Sequence, residues 1–215
     1  MYPFLEEVRQ ALDLTQFDGV AAQARMKPVP RATMRPGDQD GAPRQGAVLL
    51  LLFHRDDQFR FVLTRRRDDL PSHAGQISLP GGRREDGESL RDTALRETYE
   101  EIGIEPEAVT ILGCLQSLYI LPSDFEVTPF VGWHPDSPAF VPQPSEVAEI
   151  IEAPLVELLY EDTRREEIWE RQGFSMVVPY FQIGSHKVWG ATAMMLSEFV
   201  ERLRTHSNGA LTALR

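Results

Sequence analysis

The sequence predicts an α+β fold in which helices pack on the faces of a mixed β-sheet. Strand-sized apolar runs, such as residues 47–53, occur alongside segments of helical spacing, such as residues 191–203. They do not follow the regular strand–helix–strand alternation that builds an all-parallel sheet, so strands of both directions are expected with helices laid against them. Size agrees with this. At 215 residues, with 42% apolar and 26% charged positions, the chain is long enough for one domain with its own core and a short appendage.

The elements follow in order. Residues 4–12 place Phe4, Leu5, Val8, Ala11 and Leu12 at helical spacing. Residues 27–44 hold Pro28, Pro30, Pro36, Gly37, Gly41 and Pro43 and read as an extended connector. The expected division is therefore residues 1–45 as a helix with its connector and residues 46–215 as the main body. Residues 46–54 form an apolar run bounded by polar residues, a buried strand. Asp56, Asp57 and Gln58 make a turn, and residues 60–65 return as the second arm of a hairpin. A polar, Gly- and Pro-containing loop spans residues 66–84, with a short apolar piece at 77–79. A helix is expected from Ser89, its N-cap, to Ile102, stopped by Gly103 and Pro106. Residues 109–120 and 128–133 read as strands and 135–144 as a Pro-rich loop. Residues 145–156 mix acidic and apolar side chains without a clear period. Residues 176–181 and 187–189 are late strands, and a helix over 191–203 closes the chain.

The formal net charge is −11, which argues against a general nucleic-acid binder, whose affinity comes from neutralising phosphates. An anionic substrate stays open if a divalent cation carries the positive charge. The single cysteine, Cys114, rules out an internal disulfide and a cysteine zinc cage. No apolar run approaches membrane-spanning length, and the N-terminus shows no basic region followed by an apolar one, so no membrane partner and a cytoplasmic address are expected.

The chemistry lies between Gly82 and Ile104. Glu97, Glu100 and Glu101 stand three and four residues apart on the helix that starts at Ser89, which places their carboxylates on neighbouring parts of one face. Like charges held that close cost a structural helix a few tenths of a kcal/mol per pair, roughly. A hard divalent cation among them gives the arrangement a purpose, since Mg²⁺ and Mn²⁺ prefer oxygen ligands and take substrate phosphates as well. Arg96 can hold a carboxylate by a bidentate contact. Glu88 suits the helix N-terminus. Gly81 and Gly82 bring bare backbone close to a ligand or metal.

This segment resembles the Nudix box, G-x5-E-x7-R-E-U-x-E-E-x-G-U with U a bulky apolar residue. Gly82, Glu88, Arg96, Glu97, Glu100, Glu101, Gly103 and Ile104 match, and Thr98 stands at the first U position. At about one in fifteen per fixed position, chance would give such a match roughly once in 10⁸ starts. The resemblance implies an α/β/α sandwich around a mixed sheet and hydrolysis of a nucleoside diphosphate linked to another moiety, with Mg²⁺ or Mn²⁺ as cofactor. It implies Glu97 and Glu101 as metal ligands, Glu100 as a third and the Gly81 carbonyl as a fourth. Arg96 and Glu88 would orient those acids. The base would be a box glutamate or an acid from a later loop, for which Glu146 is the candidate. It also implies a homodimer.

Upstream, Leu63, Thr64, Arg66, Leu70, His73, Gly75, Gln76, Pro80, Gly81 and Gly82 resemble the extra motif of coenzyme A pyrophosphatases. The sequence departs from it at Arg67, where a small residue is usual, at Pro71, where an arginine is common, and at Leu79 in place of Phe. Residues 123–131 share the likeness. The implied reaction cleaves coenzyme A or acyl-coenzyme A to 3′,5′-ADP and (acyl-)4′-phosphopantetheine. Arg65, Arg66, Arg67, His73 and Gln76 would bind the substrate, guanidinium groups being suited to a multiply phosphorylated ligand.

Plainer readings stand beside these. Arg65–Arg67 also fit a solvated turn, and His73 and Gln76 a loop-shaping role. His54, His134, His186 and His206 have no partner at metal spacing and read as structural. Cys114 reads as buried filler, Trp189 as core, and residues 161–167 as a solvated face or turn. Another nucleoside diphosphate derivative (ADP-ribose, NADH) or a nucleoside triphosphate is the alternative substrate, and a non-catalytic nucleotide-binding regulator the alternative class.

Overall fold

A computed structural model describes residues 2–30, 41–70, 74–171 and 174–207. In chain order the elements are α1 (Pro3–Leu12), α2 (Gly19–Ala24), β1 (Arg44–Arg55), β2 (Gln58–Arg66), β3 (Ile77–Ser78), β4 (Gly81–Arg83), α3 (Leu90–Ile102), β5 (Thr110–Cys114), β6 (Leu118–Ile120), β7 (Phe125–Trp133), β8 (Val147–Pro154), β9 (Arg164–Arg171), β10 (Phe174–Ile183), β11 (His186–Trp189) and α4 (Gly190–His206).

β1 is the axis of the larger sheet. It runs parallel to β7, from Arg44 beside Phe125 to Leu52 beside Trp133. On its other side it pairs antiparallel with β2 at one end and with β4 at the other. β8 continues the sheet beyond β2, and β5 and β6 continue it beyond β7. The expected mixed sheet is thus present. The apolar run of β1 is buried on both faces because helices cover both. Ala47, Leu49, Leu51 and Phe53 pack with Ala94, Leu95 and Ile102 of α3. Leu50 and Leu52 belong to the opposite core with α1 and α4, including Phe4, Val8, Met195 and Phe199. Alternation along one strand therefore feeds two cores. The β1–β2 hairpin turns through Asp56 and Asp57 at φ 52° and 56°, the left-handed pair that matches the twist of the strands.

Five expectations need correction. The strand expected over residues 109–120 is two strands, because the Gln116 N–H leaves the ladder and donates to the Glu198 carboxylate at 3.1 Å. The unassigned stretch 145–156 contains β8, whose Arg60-to-Arg66 partner strand supplies the pairing that local sequence does not announce. The charged stretch 161–167 runs into β9, which pairs antiparallel with β10 from Arg164 beside Phe181 to Arg171 beside Phe174. Its exposure on both faces removed the apolar alternation that marks a strand. Cys114 is exposed, not buried, at the end of the edge strand β5. Trp189 is half-buried, edge-on to Trp169 at 4.6 Å between ring centres.

The N-terminal segment packs on the body. The expected helix is α1, with Phe4, Leu5, Val8, Ala11 and Leu12 all buried against α4 and β5. No helix among the described residues is long and apolar enough to cross a membrane.

Candidate active site

α3 starts where its chemistry predicts. Ser89 caps it, accepting from the Asp92 N–H at 3.1 Å, and Gly103 at φ 73° ends it. Thr93, Ala94, Leu95, Thr98 and Ile102 face the sheet and fix the rotation of the helix. Thr98, β-branched and buried, fills the apolar position while its hydroxyl donates to the Ala94 carbonyl at 2.7 Å. That rotation brings Glu97 and Glu101 over β4 and leaves Glu100 exposed.

β4 is bare backbone at the contact. A Cβ on Gly82 would sit 2.5 Å from a Glu97 carboxylate oxygen, and one on Gly81, at φ 148°, 2.3 Å from the Ala47 carbonyl. Only glycine lets strand, helix and carboxylate share this space. The Gly81 N–H donates to Glu101.

Arg96 organises one side. It grips Glu88 through two nitrogens, at 2.9 and 3.2 Å, and reaches Glu97 at 3.0 Å, Glu100 at 3.1 Å and the Arg83 carbonyl at 3.0 Å. Glu88 also accepts from the Thr93 hydroxyl at 2.7 Å. Arg96 first, and then the Thr93 and Glu85 donors, hold the Glu88 carboxyl well below the usual range, down to about 2, against the opposing effect of burial. A depressed carboxyl stabilises the fold above its unfolded value of about 4.5, and that contribution is lost as pH falls through about 2. The Glu88→Gln protein is therefore expected to lose less stability than the parent between those two values, although it starts less stable at neutral pH. Chemical denaturation across an acid series measures this, and parallel curves would refute it.

Glu97 and Glu101 behave in the opposite way. Burial raises the Glu97 carboxyl, with Arg96 opposing. Burial, then the charges of Glu97 and Glu146, push Glu101 up to about 8. The Thr64 hydroxyl on β2 lies 3.5 Å from Glu101. Glu146 arrives from across the site. Its segment is tied to the end of α3, where the Val141 and Gln143 N–H groups donate to the Ile102 and Glu101 carbonyls at 2.9 and 2.8 Å. These contacts satisfy carbonyls that a helix end leaves free. The Glu146 carbonyl then accepts from the Arg67 N–H at 3.0 Å, and its carboxylate lies 3.4 Å from Arg66.

The three arginines that end β2 diverge onto carboxylates. Arg65 meets Asp68 at 3.0 Å and Glu149 at 3.3 Å. Arg66 meets Glu146, and Arg67 meets Asp69 at 2.6 Å and the Pro144 carbonyl at 2.6 Å. The half-buried Gln76 accepts the Arg66 N–H through its carbonyl at 2.9 Å. His73 lies outside the described residues.

Glu97, Glu101 and Glu146 are thus brought together, and Glu100 stands apart on Arg96. No three Asp, Glu, His or Cys side chains among the described residues converge as a ready-made cage. The donor set is nevertheless all oxygen, and two partly desolvated carboxylates that repel each other fit a hard divalent cation. Sequence reasoning gave Thr64 as a motif match without a role at the carboxylates and missed Glu149. A threonine beside the buried run 61–63 was the available signal for the first, and Glu149 had none, since residues 145–156 show no clear period. It also missed the 3.3 Å contact of His186 with Glu149, which depends on the approach of β11 and has no local signature.

Residues 43–172 match the NUDIX domain family. The chain is 36% identical over 162 residues to "Nudix hydrolase 15, mitochondrial" of Arabidopsis thaliana, covering 72% of this chain and 56% of that protein. It is 36% identical over 170 residues to "Uncharacterized Nudix hydrolase NudL" of Yersinia enterocolitica, covering 79% and 86%. The chain spans little more than half the length of the Arabidopsis relatives. Among solved structures, RenU, a Nudix hydrolase from M. smegmatis, superposes with a TM-score of 0.52 at 15% identity, over 80% of this chain and 89% of that one, a likeness of fold.

Proposed function

The chain belongs to the NUDIX domain family, and on that premise we propose that it hydrolyses the pyrophosphate of a nucleoside diphosphate derivative, with coenzyme A or acyl-coenzyme A as the substrate. The observation that supports it most is the half-buried Glu101 carboxyl beside Glu97, with the charge of Glu146 acting on both. In this reading Glu97 and Glu101 would hold Mg²⁺ or Mn²⁺ together with the Gly81 carbonyl, and Glu100, which stands apart on Arg96, would join them only on leaving that guanidinium. Such a cation, when bound, cancels phosphate charge and lowers the pKa of a bound water.

The rest is work for the chain's own groups. Arg96 keeps Glu97 and Glu100 in place against their mutual repulsion and is itself fixed by Glu88. Glu146, exposed and hydrogen-bonded only to Arg66 through its carboxylate among the described residues, is free to take a proton and serves as the base. Glu100 is the box alternative. Arg65, Arg66, Arg67 and Gln76 receive the substrate phosphates, and His73, outside the described residues, is a further candidate for the same role. The arginines' present carboxylate partners can be exchanged for phosphate oxygens, which a guanidinium also meets in bidentate fashion. The upstream motif that supports coenzyme A matches at Arg66, His73 and Gln76, and the departures at Arg67 and Pro71 make ADP-ribose and NADH the comparison that matters.

Turnover of coenzyme A, acyl-coenzyme A, ADP-ribose and NADH in Mg²⁺ and in Mn²⁺, with products resolved by mass, tests the reading. The expected products are 3′,5′-ADP and 4′-phosphopantetheine. Cleavage of ADP-ribose or NADH alone would keep the hydrolase and overturn the substrate. Tight nucleotide binding with no turnover under either metal would replace the enzyme by a nucleotide-binding regulator.

A further inference from the structure

We propose that the cavity between the segment leaving α2 and the small sheet is a second ligand site, which takes an organic phosphate. The cavity has a volume of about 650 Å³, and small-molecule sites run to roughly 300–1,000 Å³. None of its lining residues belongs to the candidate active site, which is built on α3, β2 and β4. Two contacts set its walls. Val29 and Val177 of β10 exchange backbone hydrogen bonds at 2.9 and 2.7 Å, which holds the chain after α2 against the side of β10 that β9 leaves free. Arg164 of β9 donates to the Arg25 carbonyl at 2.9 Å and ties the end of α2 to the same sheet.

The charge of the cavity runs against that of the chain. Arg25, Lys27, Arg164 and Arg165 line it, against two carboxylates, Glu161 and Glu166, although the formal net charge of the chain is −11. The field of the whole molecule repels an anion, so attraction here must come from these local groups. Three of the four cations lack a carboxylate among the described residues. Lys27 is half-buried and meets none. Arg164 and Arg165 each spend a donor on a backbone carbonyl, that of Arg25 and, at 3.0 Å, that of Asp162, and keep the rest. Only Arg25 is paired, with Glu201 at 2.6 Å. Of the two acids, Glu161 is already taken by Arg204 at 3.3 Å. Gathered cations repel one another. A phosphate relieves that repulsion and accepts from several guanidinium and ammonium donors at once.

The other wall is apolar and open to water. Val29 is 63% exposed, Val177 37% and Ile168 68%. Val29 stands opposite Val177, and Val177 opposite Ile168, so the three form a row on one face of the sheet. Pro179, two residues along β10, faces the same way and lines the cavity with Val29 and Val177. Scattered apolar side chains on a surface need no explanation, but a contiguous row rimmed by charge marks a binding surface. Unpaired cations beside such a row fit a ligand with an anionic head and an apolar body better than inorganic phosphate alone.

Backbone-amide NMR of the full chain in chelator-treated buffer, titrated with naphthyl phosphate, tests the site. This probe holds no pyrophosphate, and the amides that move tell the cavity from the active site. The amides of Lys27, Val29, Arg164 and Val177 are expected to shift together. Inorganic phosphate and naphthol, the two halves of the probe, are each expected to bind more weakly than the whole. Lys27→Glu and Arg164→Glu are each expected to weaken binding by about tenfold or more, since each removes a charge-assisted contact and adds a repulsive one. Glu166→Gln removes an acid that meets no cation among the described residues and is expected to tighten binding, a gain that misfolding does not produce. Shifts confined to residues 65–67, no shifts at all, naphthol binding as tightly as its phosphate, or an affinity indifferent to both Lys27→Glu and Arg164→Glu would each overturn the proposal. So would binding to phosphatidylglycerol vesicles without a response to naphthyl phosphate, which would assign the phosphate to a membrane surface.

Discussion

The Glu101→Gln protein is expected to lose about a thousandfold or more in kcat and yet to melt higher than the parent in alkaline, chelator-treated buffer. The two effects have one cause. In the folded chain the Glu101 carboxyl is raised to about 8, first by burial and then by the charges of Glu97 and Glu146. A raised carboxyl works against the fold wherever it must ionise. Stability is at its fullest below the unfolded value of about 4.5 and is lost as pH climbs through about 8. Glutamine keeps the shape and the amide oxygen that the Gly81 N–H and Thr64 hydroxyl can meet, but it never ionises. The variant therefore escapes the alkaline loss. A divalent cation reverses the comparison, because it stabilises the ionised carboxylate of the parent and finds a neutral ligand in the variant. Mg²⁺ or Mn²⁺ is expected to raise the parent's melting temperature far more than the variant's. A thousandfold loss corresponds to roughly 4 kcal/mol of barrier, within reach of one misplaced cation. Full activity in Glu101→Gln would remove this residue from the site. An alkaline melting curve that coincides with the parent's would show that the carboxyl is not buried with its neighbours as described.

The box was the most legible part of the chain because its geometry is local. Glu97 and Glu101 share a helix flank by spacing alone, and the cap at Ser89 with the stop at Gly103 fixes the helix ends within the same stretch. The doubly buried β1 was legible for a similar reason, since a continuous apolar run between polar ends has few other uses. What sequence could not supply were contacts made by pairing at a distance. β8 carries Glu149 to Arg65 only because it lies beside β2, and the segment holding Glu146 reaches the site only by hydrogen bonding to the end of α3. The three consecutive arginines looked like one cluster, yet they part onto Glu149, Glu146 and Asp69, each set by a different loop or strand. β9 was hidden because an exposed edge strand needs no apolar alternation.

The buried Glu198–Arg202 pair is the clearest case of a feature without a sequence signature, and breaking it is expected to have the largest effect on stability. The spacing of four on α4 suggests an ordinary surface ion pair, worth about 0.3–0.5 kcal/mol. The structure makes it the junction of three elements. Glu198 is fully buried and accepts from Arg202 at 2.8 Å, from the Gln23 amide of α2 at 2.8 Å and from the Gln116 N–H between β5 and β6 at 3.1 Å. Arg202 in turn donates to the Leu12 carbonyl at the end of α1 at 3.1 Å and lies over the Phe17 ring. Glu198→Ala leaves a buried guanidinium without its carboxylate and a backbone N–H without an acceptor. Loss of one partner of such a pair costs roughly 3–5 kcal/mol, a large share of a typical domain's stability. Glu198→Gln, which keeps an acceptor oxygen, is expected to cost clearly less. Replacing both partners, as Glu198→Leu/Arg202→Met, is expected to cost less than the sum of the single replacements, because the stranded charge disappears. Urea denaturation of these variants, with Glu198→Leu and Arg202→Met as the single replacements, gives the values. Hydrogen exchange locates the damage, with faster exchange expected first in α1, α2 and residues 115–117. An Ala variant within about 1 kcal/mol of the parent would mean that water reaches the pair and that these contacts merely accompany the docking of the N-terminal helices.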